Sequence, residues 1–310
     1  MLGFARLTQC RAVRLLALLA VVWVGLVKIA PAQASDAVLV GAGDIADCLS
    51  SGDVATGALV ASVPGTVITL GDNAYQGGTA KEFAACYAPT WGPFRNRSRP
   101  AVGNHDYDTT GGAAYSSYFG AAAGPRGKGW YSYDAGPWHV VVLNANCDKV
   151  ACGKGSEQER WLQSDLAAHH NRCTLAYWHQ ARFVSDNNHG DTPAVGPFWD
   201  DLYQYGADLV LSAHAHIYER FGPQTPSAKA DPAYGIREIV VGTGGEGHYA
   251  IGAVQPNSQV RNADTFGVIR LTLHPGSYDS KFLPIAGQKF TDSGTGSCHT
   301  RPQVRTTAGA

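Results

Sequence analysis

Short apolar runs separated by amphipathic segments are the main pattern along the chain. Residues 37–43 and 66–70 have the continuous apolar character of strands that are buried on both faces. Residues 53–62 carry apolar side chains at helical spacing, and residues 79–87 are a second short helix candidate. This alternation of strand and helix predicts an α/β fold whose functional residues lie at strand ends.

The second half of the chain continues this pattern and becomes richer in strands. The turn Gly136-Pro137 predicts a hairpin over residues 130–143, and Ser156 with Glu159 forms a capping box that starts a helix. Residues 107–129, rich in Gly, Ala and Tyr, are predicted to form a long loop over a site. Further strands are predicted at 174–178, 207–212, 237–241, 266–273 and 277–286, and a further helix at 193–205.

The first 34 residues have the pattern of a secretory signal peptide. Basic residues precede an apolar run over residues 15–27, and Ala32-Gln33-Ala34 forms a small-x-small cleavage site. An uncleaved membrane anchor is the alternative, but this run is shorter than the ~20 residues that a span requires. We therefore expect a signal over residues 1–34, one domain over residues 35–310, and a secreted or periplasmic protein with no stable membrane anchor.

The charge balance argues against a nucleic-acid surface. The chain has 24 basic and 25 acidic residues, and four of the basic residues lie in the first 34. The expected mature chain therefore has a net charge of −5. A broad nucleic-acid-binding surface would require a basic stripe, so this class of partner is not expected.

Six cysteines follow the expected signal. They are Cys48, Cys86, Cys147, Cys152, Cys173 and Cys298. An even number in an exported chain suggests disulfides, and the short spacing favours Cys147–Cys152, while the pairing of the other four stays open. Zinc binding is the alternative, but the Cys-x-x-Cys spacing typical of zinc sites is absent from the sequence.

Residues with metal-binding side chains follow the predicted strands in order. They are Asp44, Asp72, Tyr75, Asn104, His179, His214 and His216. Each alone has an ordinary explanation, a turn or cap for the aspartates and Asn104 and a structural role for the histidines, but the carboxyl ends of successive strands converge on one edge of a sheet. On an extended segment His214 and His216 would point the same way. Carboxylate, amide and imidazole ligands suit iron, zinc or manganese and do not suit calcium.

These residues resemble the five sequence blocks of the calcineurin-like metallophosphoesterases, and among them most resemble the purple acid phosphatases. The blocks are Gly43-Asp44, Gly71-Asp72-Asn73-Ala74-Tyr75, Gly103-Asn104-His105-Asp106, His179 and His214-Ala215-His216. The general family has a histidine where this chain has Ala46. In purple acid phosphatases a tyrosine three residues after the aspartate of the second block replaces that histidine, and this chain has Tyr75 three residues after Asp72. Two departures are Ala213, where glycine is usual, and Asp106, where glutamate is common.

The resemblance implies a fold and a metal centre. The fold is a four-layer α/β/β/α sandwich of two mixed sheets flanked by helices, which would make residues 35–310 a single catalytic domain. One metal ion would take Asp44, Asp72, Tyr75 and His216; a second would take Asp72, Asn104, His179 and His214. Asp72 would bridge the two ions. The tyrosine implies Fe(III) at its own site, with Fe(II), Zn or Mn at the second.

The resemblance also implies a reaction. The chain would hydrolyse small-molecule phosphomonoesters through attack of a metal-activated hydroxide on phosphorus. His105 would protonate the leaving group or bind phosphoryl oxygens, Asp106 would orient His105, and His189 would contact the substrate. A phosphodiesterase on the same scaffold is one alternative. A non-catalytic, secreted metal- or phosphate-binding protein is another.

Overall fold

The computed structural model describes residues 35–169 and 173–299, together with Met1 and Gly3. The expected signal peptide, apart from Met1 and Gly3, lies outside the described residues. Within the described ranges, no helix has both the length and the apolar character needed to cross a membrane.

The described residues contain fifteen strands and six α-helical segments. The strands are β1 (Ala37–Ala42), β2 (Ala46–Asp47), β3 (Thr66–Leu70), β4 (Ala74–Tyr75), β5 (Ser98–Ala101), β6 (Tyr131–Ala135), β7 (Trp138–Val142), β8 (Cys173–Gln180), β9 (Leu209–Ala213), β10 (Tyr218–Phe221), β11 (Arg237–Val241), β12 (Ser258–Asn262), β13 (Gly267–His274), β14 (Ser277–Pro284) and β15 (Ser293–Ser297). The helices are α1 (Gly52–Ser62), α2 (Ala80–Glu82), α3 (Ala88–Thr90), α4 (Ala113–Phe119), α5 (Glu157–Ala168) and α6 (Gly196–Gln204). A π-helical turn, Phe83–Tyr87, joins α2 to α3.

Two large mixed sheets form the body of the fold. The first has the spatial order β15-β14-β13-β1-β3-β5, in which β1, β3 and β5 are parallel. The second has the order β12-β10-β11-β9-β8-β7-β6, in which β7, β8, β9 and β11 are parallel. The parallel strands of each sheet therefore end at a common edge, where their following residues can meet.

The alternation of side chains along β7 shows how the layers pack. Val140 and Val142 belong to the apolar cluster that joins the two sheets. Val141 and Leu143 belong to a second cluster, which α5 and α6 cover with Leu162 and other apolar residues. A strand buried on both faces therefore has no polar alternation. The predicted α/β sandwich of two mixed sheets with helices is confirmed.

The segment 107–129 differs from the predicted long loop. It contains α4 and short 3₁₀ turns, and Tyr115 and Phe119 of α4 are buried in the larger of the two apolar clusters. Glycines with positive φ, such as Gly112 and Gly120, bound this helix and limit it to a short piece. Because of the high glycine content, the sequence pattern did not predict this helix of seven residues.

Some strands have no apolar pattern and were not predicted. β5 contains Pro100, which has no backbone N–H, and it lies at an edge of the first sheet, where a proline is tolerated. β15 has the sequence Ser-Gly-Thr-Gly-Ser and is also an edge strand. Both strands form because a neighbouring strand offers backbone partners, which sequence periodicity does not detect.

Three disulfides link the six cysteines. The predicted pair Cys147–Cys152 is confirmed, and the others are Cys48–Cys86 and Cys173–Cys298. The pair Cys173–Cys298 joins the start of β8 to the residue after β15, across a sequence separation of 125 residues. It therefore ties the second sheet to the chain that follows the last strand of the first.

We expect the two disulfides with the most different loop lengths to differ in their effect on stability. Loop-closure entropy predicts a loss of roughly 5 kcal/mol when Cys173 and Cys298 are both replaced by alanine, and roughly 2 kcal/mol for the same change at Cys147 and Cys152. Urea unfolding of the two double variants measures the difference. Equal losses of unfolding free energy would contradict the view that these disulfides stabilise the protein by lowering the entropy of the unfolded chain.

Candidate metal centre

The predicted ligands come together at the edge where the two sheets meet. Asp44, Asp72 and Asn104 follow β1, β3 and β5 of the first sheet, and His179, His214 and His216 lie at the ends of β8 and β9 of the second. The chain after β1 stays paired with the chain after β3, because Asp44 N donates to Gly71 O and Ile45 N donates to Asp72 O. This pairing places Asp44 beside Asp72.

Glycines in the sequence blocks clear space for the ligands. A Cβ on Gly71 would lie 2.6 Å from the His179 ring, and one on Gly103 would lie 2.0 Å from Asp72 Oδ1. Asp44 and Asp72 themselves adopt positive φ values of 57° and 49°. Aspartate tolerates this backbone region better than most residues, but the conformation still carries strain. The glycine-aspartate pairs are therefore explained by close packing around the ligands.

Tyr75 lies at the centre of a group of acceptors. Its hydroxyl oxygen is 2.8 Å from Asp44 Oδ1, 3.0 Å from Asp72 Oδ2 and 3.3 Å from His216 Nε2. One phenolic proton cannot satisfy three acceptors. Burial and the adjacent Asp44 and Asp72 carboxylates raise the pKa of the Tyr75 phenol well above its ordinary value. A phenolate therefore forms at this position only when a strongly charged cation takes the place of the proton.

Backbone carbonyls orient two of the imidazoles. His179 Nδ1 is 2.8 Å from Leu70 O, and His216 Nδ1 is 2.6 Å from Gly247 O. A carbonyl oxygen can only accept a hydrogen bond, so Nδ1 carries the hydrogen in both rings and Nε2 faces the cluster. His179 Nε2 is 3.0 Å from Asp72 Oδ2, and His216 Nε2 is 3.5 Å from Asp44 Oδ1. This arrangement is typical of metal-binding histidines.

His214 does not lie on an extended segment. Its φ is 68°, and its backbone N–H donates to Asp44 Oδ2 at 2.9 Å. The expectation that His214 and His216 point the same way on a strand is therefore wrong. The His214 ring lies 5.0 Å from the ring of His179, whereas His216 faces Tyr75. The left-handed turn separates the two imidazoles and directs them to different parts of the cluster.

The donor set fits the binding of metal ions. Ligand atoms of Asp72, His179 and His214 lie within 4.8 Å of one another. The buried Oδ1 of Asn104 finds no hydrogen-bond donor among the described residues, and His179 Nε2 makes no hydrogen bond of good geometry there although Asp72 Oδ2 lies 3.0 Å away. Burial alone would raise the pKa of Asp72, but His179 and other imidazoles outweigh it and lower that pKa. The division of the ligands between two ions stays a prediction.

His105 lies on the more open side of the cluster. Its Nδ1 is 2.6 Å from Gln76 O, its Nε2 is 4.0 Å from Asp72 Oδ2, and its ring packs against Tyr75 at 4.6 Å. The side chain is 31% exposed, whereas that of Asp72 is 1% exposed. A substrate could therefore reach His105 from solvent while Asp72 stays enclosed.

Asp106 has a different task from the one predicted. Its carboxylate accepts from Gly103 N at 2.9 Å and from Asn73 Nδ2 at 2.8 Å. The prediction that Asp106 orients His105 is therefore wrong, because Gln76 O holds that imidazole. Burial and the nearby Asp72 raise the pKa of Asp106. Asp106 joins the second and third sequence blocks and so fixes the spacing of their ligands.

Two aromatic residues complete the wall of the site. His189 stacks on His214 with ring centroids 3.8 Å apart, and its contact with a substrate stays a prediction. Tyr249 stacks on His216 at 4.0 Å and lies 5.3 Å from His189. Sequence analysis missed Tyr249, because it follows a glycine-rich stretch with no strand or helix pattern. The only sequence signal near Tyr249 is that glycine-rich stretch, which contains Gly247, the residue whose carbonyl oxygen contacts His216.

A cavity of about 750 Å³ lies beside the third sequence block. Its lining includes Val102, Tyr107, Ser116 and Arg126. Most of the remaining lining residues belong to the segment 107–129, which was expected to lie over a site.

Comparison with known proteins finds similarity to purple acid phosphatases. No protein-family model matches the chain. Purple acid phosphatase 15 of Arabidopsis thaliana is 29% identical over 223 residues, which covers 60% of this chain and 41% of the relative. Purple acid phosphatase 23 of the same plant is 27% identical over 224 residues, which covers 60% and 48%. The chain thus spans less than half the length of these curated relatives.

Solved structures show the same fold. A purple acid phosphatase from yellow lupin (Lupinus luteus) seeds superposes with a TM-score of 0.72 and 20% identity, covering 88% of this chain and 55% of the lupin chain. The structure of PhoD superposes with a TM-score of 0.57 and 13% identity, covering 86% and 71%. The chain is thus similar in sequence to purple acid phosphatases over part of its length, and it shares the fold of a solved purple acid phosphatase.

Proposed function

We propose that this chain is an exported, metal-dependent phosphatase that hydrolyses small-molecule phosphomonoesters. The observation that supports it best is the buried cluster of unsatisfied ligand atoms around Asp72, with His105 and His189 beside it. Residues 35–310 would be the catalytic domain, and residues 1–34 the signal that directs export. The three disulfides fit an oxidising compartment such as the cell exterior or the periplasm.

The cluster would hold two metal ions through the ligands of both sheets. Asp44, Asp72, Tyr75 and His216 would bind one ion, and Asp72, Asn104, His179 and His214 the other. Two ions, when bound, supply Lewis acidity toward phosphoryl oxygens and activate water as a nucleophile. The chain itself supplies the geometry, because Leu70 O and Gly247 O hold the imidazoles and His105 N holds Asp72 Oδ1 at 2.9 Å.

We assign the ion next to Tyr75 as Fe(III), with Fe(II), Zn or Mn at the second position. Two carboxylates and a phenol surround the first position, and the phenol gives up its proton only to a highly charged ion. The second position has two imidazoles and an amide, which suit a divalent ion.

His105 would act on the substrate rather than on the metal. Its Nδ1 is held by Gln76 O, which leaves Nε2 directed toward the cluster and available to a phosphoryl or leaving-group oxygen. His189 would hold a phosphoryl oxygen from the opposite wall, where its ring is stacked on His214. Both residues would thus bind the charge that develops during ester cleavage.

The preferred ester distinguishes the proposed function from its alternatives. We expect kcat/KM for phenyl phosphate to exceed that for bis(4-nitrophenyl) phosphate at least tenfold, and side-by-side initial rates on metal-loaded protein measure this ratio. A preference for the diester would favour a phosphodiesterase on the same scaffold. Absence of turnover on both, with two metal ions bound per chain, would favour a non-catalytic metal- or phosphate-binding protein.

The metal assignment predicts different results for two variants of the cluster. Tyr75→Phe is expected to lose the visible ligand-to-metal absorption band and about one metal ion per chain, whereas Asp72→Asn loses both ions because it removes the bridge. Metal analysis and absorption spectra measure these changes. Tyr249→Phe is the matched control, since Tyr249 lies beside His216 without contacting Tyr75. A colourless wild-type protein that is fully loaded and active would refute the ferric–phenolate assignment.

His105→Ala is expected to lower kcat on phenyl phosphate at least a hundredfold, because general acid catalysis typically contributes this much. Metal content should stay at the wild-type level, since no predicted ligand changes. His274→Ala, a surface histidine paired with Asp36 and Asp279, serves as the control. Wild-type turnover in His105→Ala would show that this imidazole has only a structural role.

A further inference from the structure

Two segments form one wall of the site and are joined to each other. We call residues 185–190, which carry His189, and residues 247–252, which carry Tyr249, the aromatic wall. Asn187 N donates to Ala250 O at 3.1 Å, and Gly252 N donates to Ser185 O at 2.6 Å. The rings of this wall stack on the imidazoles of His214 and His216.

A single buried carboxylate anchors this wall. Glu219 lies on β10, three residues after His216, and its side chain is fully enclosed. It accepts from Ser185 N at 2.7 Å and from Ser185 Oγ at 2.6 Å, and it also accepts from Ser258 Oγ. Ser185 Oγ in turn accepts from Gln255 N at 2.9 Å. Glu219 thus holds the start of the first segment and the chain that follows the second.

The position of Ser185 is passed on to His189 through a tight turn. The next residue, Asp186, accepts from His189 N at 3.1 Å and from Gly190 N at 2.8 Å. Asp186 also pairs with Ile251 of the second segment. The His189 ring stacks on His214 and lies near Tyr249, and this hydrogen-bonded turn sets the position of its backbone. A shift of Ser185 would therefore move the His189 ring.

We infer that Glu219 is a positioning residue, which fixes His189 over the site so that it can bind a phosphoryl oxygen. Burying a carboxylate costs free energy unless hydrogen-bond donors satisfy its two oxygen atoms. Every hydrogen bond given above for Glu219 leads to the wall segments or to the strand beside them, and none leads to a ligand of the proposed metals. The inference rests on the proposed function, since it requires that His189 bind phosphate.

A double-mutant cycle on metal-loaded protein tests the inference, with inorganic phosphate as the probe in titration calorimetry. Glu219→Gln is expected to weaken phosphate binding about tenfold and to leave metal content unchanged. The reason is that the glutamine side chain has only one acceptor oxygen for the three donor groups that Ser185 and Ser258 direct at Glu219. In the His189→Ala background the same change is expected to alter phosphate affinity less than twofold. If Glu219 acts only through His189, its replacement has no further effect on phosphate affinity once His189 is absent.

Glu238→Gln is the matched control. Glu238 is an equally buried carboxylate of the same sheet, but it holds the amides of Arg182 and Phe183, upstream of the wall. It is expected to lower the melting temperature and to change phosphate affinity less than twofold. If Glu219→Gln does not fold, Ser185→Ala replaces it; this variant removes the hydroxyl bonds alone and should weaken phosphate binding about threefold, again only when His189 is present.

Equal weakening by Glu219→Gln with and without His189 would overturn the inference, and so would unchanged phosphate affinity in both backgrounds. Equal weakening by Glu238→Gln would likewise show a general effect of lost stability. Phenyl phosphate turnover by the wild-type protein separates these failures from a failure of the proposed function. Turnover with an additive cycle overturns only the positioning role, whereas a protein that neither binds nor turns over phosphate compounds overturns both.

Discussion

The close grouping of carboxylates, a phenol and imidazoles around Asp72 is the constraint on which the rest of the structure depends. Asp72 Oδ2 lies about as close to Tyr75 Oη as to His179 Nε2, at 3.0 Å in each case. Such a group has more acceptors than protons, and it is buried where water cannot compensate. The fold has to hold these side chains against their own repulsion until a cation is bound.

Several local features serve that purpose. The left-handed backbone of Asp44, Asp72 and His214 turns each chain sharply as its strand ends, and the adjacent glycines leave room for the facing ligands. Such backbone conformations cost of order 1 kcal/mol each, and they persist only where the surrounding structure determines them. Asp106 adds a link between two of the blocks through Asn73 and Gly103. Three of the five non-glycine residues with positive φ in the described part of the chain are thus proposed metal ligands.

The sequence predicted the metal cluster better than it predicted the walls around it. Asp44 and Asp72 follow buried strands of one sheet, and His179 lies near the end of a buried strand of the other, so their places at strand ends follow from local pattern. The meeting of the two sheet edges depends instead on tertiary packing. The role of Asp106 could not be predicted in this way, since it depends on which backbone amides approach its carboxylate. Interpreting His214 as part of a strand failed for the same reason, because a hydrogen bond to Asp44 sets its conformation.

The walls were harder to predict because they depend on tertiary contacts between loops. Tyr249 belongs to no predicted element, and Glu219, although close in sequence to His216, lies in a short strand where a glutamate normally indicates a solvent-facing position. Their burial follows from loops that fold back over the second sheet, and the periodicity of apolar residues contains no information on such loops. The segment 107–129 shows the same limit, since its helix is bounded by glycine conformations rather than by an amphipathic pattern.

The ligands of each proposed ion come from both sheets, and this has a consequence beyond catalysis. One ion would join Asp44, Asp72 and Tyr75 to His216, and the other would join Asp72 and Asn104 to His179 and His214, so each acts as a cross-link between the two halves of the sandwich. A metal that binds only the folded chain stabilises it by about 2.7 kcal/mol at a hundredfold excess over its Kd. The supply of metal ions where the protein folds would therefore determine how firmly the two sheets are held together, and with it the lifetime of the folded protein.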